Sequence, residues 1–166
     1  MIGEPGQGHA IALSVLEFFR PTVGAAAVGF MRRALCESLS RSTQRLAFKK
    51  PIAEHQLIQA KLADMAVKTD AAALLVYRAS WLHDRHEGSL TRAAATAKLY
   101  ATDAACEVID QAVQIFGGLG VTKGTIVERL FRHSRPFRIF DGTSEIQKLI
   151  IARELLRNAG SVTEPS

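Results

Sequence analysis

Along the middle of the chain, Ile58, Leu62, Met65, Thr69, Ala72, Val76 and Ala79 recur at alternating spacings of four and three, with Lys61, Asp64, Lys68 and Arg78 on the opposite face. That is the period of an amphipathic helix lying against other helices. Glycine and proline mark where such stretches end. Residues 30–50, 52–87, 89–116 and 143–159 contain neither, whereas 117–142 holds five of the twelve glycines, so four long helices are predicted. The third opens at Ser89 just after Gly88, a helix stop followed by an N-cap. It carries Ala93, Ala94, Ala95, Ala97, Ala101, Ala104 and Ala105, small residues that permit close helix approach. The last opens on Gly142-Thr143-Ser144-Glu145-Ile146-Gln147, where Ser144 and Gln147 read as a capping box.

The first helix is expected to start near residue 9 and to run through Arg20-Pro21, where the missing N–H removes one ladder bond. Continued to Lys50 it spans about 40 residues, or about 60 Å at 1.5 Å per residue. No alternating strand pattern occurs, so the predicted class is all-α. The architecture is an antiparallel up-and-down four-helix bundle with tight connections at Pro51 and Gly88 and a short extra helix before the last. One domain is expected over residues 1–160, with a frayed tail over 161–166.

Composition narrows the class. With 166 residues, 48% of them hydrophobic, the chain can bury a continuous core, which excludes disorder. No run approaches the roughly 18 uninterrupted apolar residues of a membrane span, and the N-terminus lacks a basic segment followed by an apolar one. A soluble, cytoplasmic chain without a membrane partner is therefore expected. Cys36 and Cys106, 70 positions apart and outside any C-x-x-C, read as reduced core thiols. The net charge of +5, from 21 Lys and Arg against 16 Asp and Glu, fits a polyanionic partner such as nucleotide phosphates, or equally a solvated surface.

Common catalytic constellations are missing: there is no G-x-S-x-G, no Walker loop and no Glu-x-x-His pair. His83 and His86 lie three apart, but in a charged segment that reads as a solvated helix end, so no metal site is assigned. One region departs from an ordinary bundle. Gln114-Ile115-Phe116-Gly117-Gly118-Leu119-Gly120 ends an apolar helix in a glycine cluster, which is a C-cap or a place where backbone approaches a ligand closely. The basic stretch Arg129–Arg138 follows. Beyond it Asp141 stands just before a helix N-terminus and beside Ile139 and Phe140, where burial and the helix dipole act on a carboxylate in opposite directions. Such a position suits a base.

The stretch DQAVQIFGGLGVTKGTIVERLFRHSRPFRIFDGTSEIQKLIIARELL resembles the C-terminal signature of the acyl-CoA dehydrogenase family, which runs through QIxGGxGY, VERxxRD and Y-E-G-T-S-E/Q-I-Q. RLAFKKPIAEHQLIQAKLADMA is similar to that family's RxxFGKPIxEHQ motif, and FFRPTVGAAAVG to the first helix of its C-terminal domain. The resemblance covers nearly the whole chain but only the final third of a family member. It implies α,β-desaturation of an acyl-CoA thioester, in which a carboxylate removes the α-proton and the β-hydrogen leaves as hydride to FAD. The base position falls on Asp141, one methylene shorter than the usual glutamate, and the amide that hydrogen-bonds the thioester oxygen belongs to the same residue. Some relatives keep the base directly before the motif arginine; here that position is Phe19, which cannot serve. Arg20 matches the arginine that orients the base carboxylate.

The resemblance also implies cofactor and substrate contacts. Arg45 matches the arginine on the FAD pyrophosphate, Phe48 and Gln56 line its adenosine-diphosphate end, and Gln114, Gly117 and Gly118 meet the cofactor across a dimer interface. Thr143 and Glu145 reach it from their own subunit, and Glu17, Phe140 and Gly142 fall beside the acyl-CoA. Electron-transfer flavoprotein and a second or further copies of the chain, as homodimer or homotetramer, are the implied partners. Lys49, Val121 and His133 depart from the family's glycine, aromatic and aspartate. Lacking the other two domains of such an enzyme, the chain is expected to be poorly active alone. Two readings stay open beside this one: a nitroalkane-oxidase-like flavoenzyme, which resembles the fold and uses an aspartate base, and a non-catalytic oligomerisation subunit of a two-chain dehydrogenase. Nucleic acid is not expected as a partner, since the chain has no recognition-helix motif.

Overall fold

In the computed structural model, which describes residues 3–160, five helices follow one another: α1 (Gly8–Gln44), α2 (Gln56–Arg85), α3 (Leu90–Phe116), α4 (Ile126–Ser134) and α5 (Ser144–Gly160). The tail expected to fray over 161–166 lies outside the described residues. Four long helices and one short helix before the last are thus the architecture, as the punctuation predicts. Alanine decides how they pack. Ala93, Ala94, Ala95, Ala97, Ala101, Ala104, Ala105 and Ala112 are all buried, which leaves α3 narrow enough to touch α1, α2, α4 and α5. The helix is buried nearly all round, as a central helix must be. Met31, Met65, Val108 and Ile109 fill the space that these small side chains leave, each contributing about 1.5–3 kcal/mol by burial.

Two connections reverse the chain sharply. After Gln44 the backbone leaves the helix at Arg45, and residues 46–51 fold back as a hairpin of β1 (Leu46–Ala47) paired antiparallel with β2 (Lys50–Pro51). The first helix therefore ends before Lys50: freedom from glycine and proline did not mean helix, because the turn residues Phe48 and Lys49 both adopt positive φ, +52° and +67°. Between α2 and α3, His86 and Gly88 take the left-handed conformation, and the Ser89 hydroxyl accepts the Arg92 N–H at 3.3 Å as the predicted N-cap. Ser89 also donates to Glu154 at 2.7 Å, tying the last turns of α5 to the start of α3 and fixing the two helices antiparallel.

Three local expectations change. Ser144 and Gln147 form no capping box: the cap of α5 is Thr143, whose hydroxyl accepts the Ile146 N–H at 3.4 Å, while Ser144 and Gln147 turn inward to other partners. Cys36 is exposed rather than in the core; Cys106 is half-buried, and burial pushes its thiol pKa up. By length and composition α1 is long and apolar enough to cross a membrane, once single polar residues are tolerated within the run. It continues through Pro21 unbroken and buries Val23, Gly24, Ala27, Val28, Met31 and Ala34, part of its apolar surface.

Gly24 sits where α1 crosses its neighbours. A Cβ there would lie 2.9 Å from Val76 Cγ2, 3.4 Å from the Ala97 carbonyl and 3.6 Å from Ala101 Cβ. Gly24→Val is expected to overpack this crossing and destabilise the chain by about 1–3 kcal/mol, read from the midpoint of urea denaturation at unchanged slope.

Candidate functional site

The segment between α4 and α5 is short of helix-forming pattern and is held by side chains instead. A 3-10 turn over Arg135–Arg138 opens it, and Phe30, Phe137 and Phe140 form a chain of rings with centroids 5.0 and 5.6 Å apart. Asp103, on α3, then fastens the segment at both ends. Its Oδ1 accepts from Arg138 Nε and from Ser144 Oγ, each at 2.7 Å. Between these anchors the backbone reverses through two successive positive-φ residues, Asp141 at +55° and Gly142 at +92°. Position 142 must be glycine, since a Cβ would also meet Gln147 Nε2 at 2.7 Å.

The reversal exposes two carbonyls to the protein interior, and buried donors take both. The Asp141 carbonyl accepts from Arg20 Nε at 3.3 Å and Gln147 Nε2 at 3.1 Å; the Gly142 carbonyl accepts from Lys98 Nζ at 2.8 Å and Gln147 Nε2 at 3.0 Å. Lys98 and Gln147 are fully buried and Arg20 nearly so. Burial lowers the Arg20 pKa, opposed by the nearby charges of Glu17 and Asp141; burial likewise lowers that of Lys98, opposed by Asp103 and Asp141. Arg20 thus reaches Asp141 through its backbone carbonyl, whereas the sequence match predicts a bond to the carboxylate. The Asp141 N–H has no acceptor among the described residues. One residue therefore offers a carboxylate and an unengaged N–H side by side, a base and a hydrogen-bond donor for an oxyanion.

The expected site residues divide into two groups. Arg20, Phe140, Asp141, Gly142, Thr143 and Glu145 gather at this turn. Glu17 is one turn before Arg20 and accepts from Thr91 Oγ1 at 2.5 Å. Hydrogen bonds from its own amide and from the Thr143 hydroxyl lower the Glu145 pKa. Arg45, Phe48 and Gln56 lie instead at the hairpin end of the bundle, together with Gln114, Gly117 and Gly118 at the end of α3, where the Arg41 guanidinium stands 5.7 Å over the Phe116 ring. From Asp103 to Phe116, α3 separates the two groups by about 20 Å at 1.5 Å per residue. The second group is open: Arg45, Gln56 and Gln114 are exposed, Phe48 is 90% exposed, and a Cβ on Gly117 or Gly118 would meet nothing within 4 Å. A guanidinium and unobstructed glycine backbone at one end of the bundle are groups suited to the phosphates of a dinucleotide.

Residues outside the predicted set complete the turn. Lys98, Asp103 and Gln147 make most of its hydrogen bonds. For Lys98 the signal was present: it stands four residues after Ala94 and three before Ala101, on the face that the alanine pattern buries. A cavity of about 410 Å³ lies elsewhere, between α1, α2 and the start of α3, lined by Glu17, Phe18 and His83 among others, and does not include Asp141. Among the described residues no three metal-ligating side chains converge.

Comparison with known proteins identifies the family and the fold. The family model of the acyl-CoA dehydrogenase C-terminal domain matches residues 6–156. Cyclohexane-1-carbonyl-CoA dehydrogenase of Geobacter metallireducens is 40% identical over 159 residues, covering 96% of this chain and 42% of that protein. The structure of butyryl-CoA dehydrogenase from Megasphaera elsdenii superposes with a TM-score of 0.90 at 39% identity, over 93% of this chain and 40% of that one. A chain in the structure of the electron transferring flavoprotein of Acidaminococcus fermentans matches equally, with TM-score 0.90, 39% identity and the same coverage. The chain thus spans about two fifths of the length of these relatives.

The hairpin tip gives this site a measurable feature. Lys49 holds a left-handed conformation that costs a non-glycine residue about 1–2 kcal/mol, offset in part by the extra unfolded-state freedom of glycine. Lys49→Gly is expected to stabilise the chain by about 0.5–1 kcal/mol, seen as a rise in Tm.

Proposed function

Because the chain belongs to the acyl-CoA dehydrogenase family, as its C-terminal domain, we propose that it supplies the base and part of the flavin site for α,β-desaturation of an acyl-CoA thioester. The observation that carries the reading is the Asp141 turn, with its carboxylate and unengaged N–H on one clamped residue. Abstraction of a proton next to a thioester is feasible only when charge developing on the carbonyl oxygen is stabilised as the base acts. Here the Asp141 carboxylate takes the α-proton while its own N–H donates to that oxygen, and Arg20 holds the backbone between the two functions. Phe140 and Gly142, flanking the base, face the acyl-CoA in this reading, and Glu17 keeps Arg20 in place from one turn away.

FAD, when bound, supplies the acceptor for the β-hydride. Arg45, Phe48, Gln56, Gln114, Gly117 and Gly118 hold it at the hairpin end, and Thr143 and Glu145 at the turn. In this reading Gln114, Gly117 and Gly118 meet the cofactor of a second copy, which calls for a homodimer or homotetramer. A dimer or tetramer is further supported by α2, where Val67, Leu74 and Trp81, spaced by seven, are each more than half exposed and make an apolar stripe suited to another helix. Electron-transfer flavoprotein is the electron acceptor in this reading, and activity requires the walls that lie outside this chain.

The aspartate supports a second reading, a nitroalkane-oxidase-like enzyme, because the shorter base sets a different reach. Reoxidation of the reduced flavin decides between them: rapid reaction with oxygen favours the oxidase, and dependence on electron-transfer flavoprotein the dehydrogenase. For the main reading, Asp141→Asn in the assembled flavoenzyme is expected to slow exchange of the acyl-CoA α-proton with D₂O by about 10²–10⁴-fold, with flavin retained. Exchange at the unaltered rate moves the base away from Asp141.

A further inference from the structure

Lys98 is the largest side chain among the described residues that is wholly buried, and its ammonium binds a neutral backbone carbonyl, that of Gly142, at 2.8 Å. Burying a cation without a carboxylate partner is unfavourable, and an apolar side chain of similar volume, with Gln147 still donating to the Gly142 carbonyl, need not be less stable. Stability of the fold therefore does not account for this lysine. Its effect falls on one place. Gly142 follows the base residue directly, and both sit in the left-handed region, where the carbonyls point inward and need donors. Gln147 gives one N–H of its amide to each carbonyl, which leaves the second lone pair of each to another donor. Arg20 reaches only the first, and at 3.3 Å. Lys98 alone gives the Gly142 carbonyl a short charge-assisted bond. The charged groups facing it are Arg20 from α1, Asp103 from its own helix, and Arg138 and Asp141 from the segment it holds.

We propose that Lys98 is a positioning residue for proton abstraction: by pinning the Gly142 carbonyl it holds the Asp141–Gly142 turn in its left-handed form, and so fixes where the base carboxylate and its N–H stand relative to the substrate. It touches neither substrate nor cofactor and acts through the backbone. The role rests on Asp141 being the base. Lysine suits it because a long stem crosses the alanine face of α3 and delivers one compact donor to one carbonyl. Without it the turn relaxes, and displacement of a reacting group by about 1 Å is enough to cost about 10²-fold in rate.

The test compares Lys98→Met with Lys98→Gln, which keeps a donor and loses the charge. In the assembled flavoenzyme K98M is expected to lower kcat for α-proton exchange by about 10²-fold at a KM for acyl-CoA within about twofold, with K98Q recovering part of the loss. In the chain itself, hydrogen–deuterium exchange should show faster amide exchange in the peptide covering residues 144–147, where the Ile146 and Gln147 N–H groups bond Thr143 just after the turn, at a Tm equal to or above that of the unaltered protein. A purely structural lysine gives the opposite pair, lower Tm with full activity per folded molecule, and that result overturns the proposal. If K98M does not fold, the same measurements on K98Q decide it. If the unaltered enzyme exchanges no α-proton, it is the assignment of Asp141 as base that fails. Amide exchange then still judges the clamp: unchanged protection of 144–147 in K98M overturns it, and lost protection upholds it.

Discussion

Residues 141 and 142 both adopt positive φ, a conformation that costs a non-glycine residue about 1–2 kcal/mol. It persists because the two carbonyls it turns inward are taken by donors from three different helices: Arg20 on α1, Lys98 on α3 and Gln147 on α5. The turn is therefore only as well placed as the packing of those helices. Asp103 adds a fourth restraint by fastening both shoulders of the segment to α3. Strain of this kind survives only where the surroundings over-determine it, and here four side chains do so for two peptide units.

This requirement explains why α3 is built from alanine. A lysine can run wholly buried to a carbonyl on a neighbouring segment only if the helices around it approach closely, and Ala94, Ala97, Ala101 and Ala105 allow that approach. Gly24 on α1 serves the same end, since its contacts with Ala97 and Ala101 bring the helix that carries Arg20 against the helix that carries Lys98. Small residues thus do two jobs with one geometry: they close the core, and they bring two cations to the same turn. A core of larger side chains could be as stable, but it would hold Arg20 and Lys98 too far apart to share adjacent carbonyls.

Much of the fold was legible because helix length and helix face are local properties. The glycine- and proline-free stretches located four helices, and the spacing of Met65, Thr69, Ala72, Val76 and Ala79 located the buried face of α2. What sequence reasoning missed depends on tertiary partners. Phe48 and Lys49 make a turn without glycine because the strands on either side pair, which no window of sequence reports. Ser144 and Gln147 have the composition of a capping box, but Asp103 and the turn carbonyls compete for their side chains and win, leaving Thr143 as the cap. Asp141 could be picked out by its place before a helix. Lys98 was legible by period alone, yet a charged residue on a buried face invites the assumption that the face is wrong. Cys36 was misplaced for the converse reason: an uncharged residue in a long helix carries no sign of which side faces outward.

Neither group of site residues encloses a ligand by itself. Phe140 is 41% exposed beside the half-buried Asp141, and at the other end Phe48 is 90% exposed. A carboxylate acting as the proposed base gains from exclusion of water, and Asp141 keeps part of its surface open. The cavity of about 410 Å³ does not help, because it runs along Glu17, Phe18 and Pro21 and Asp141 is not among the residues that line it. What the chain does contribute is rigid placement: a carboxylate and an unengaged N–H on one clamped residue, and, about 20 Å away along α3, Arg45 with the open backbone of Gly117 and Gly118. The dry walls that would complete either edge have to come from a surface packed against it, and the apolar residues left uncovered at both edges are where such a surface would seat.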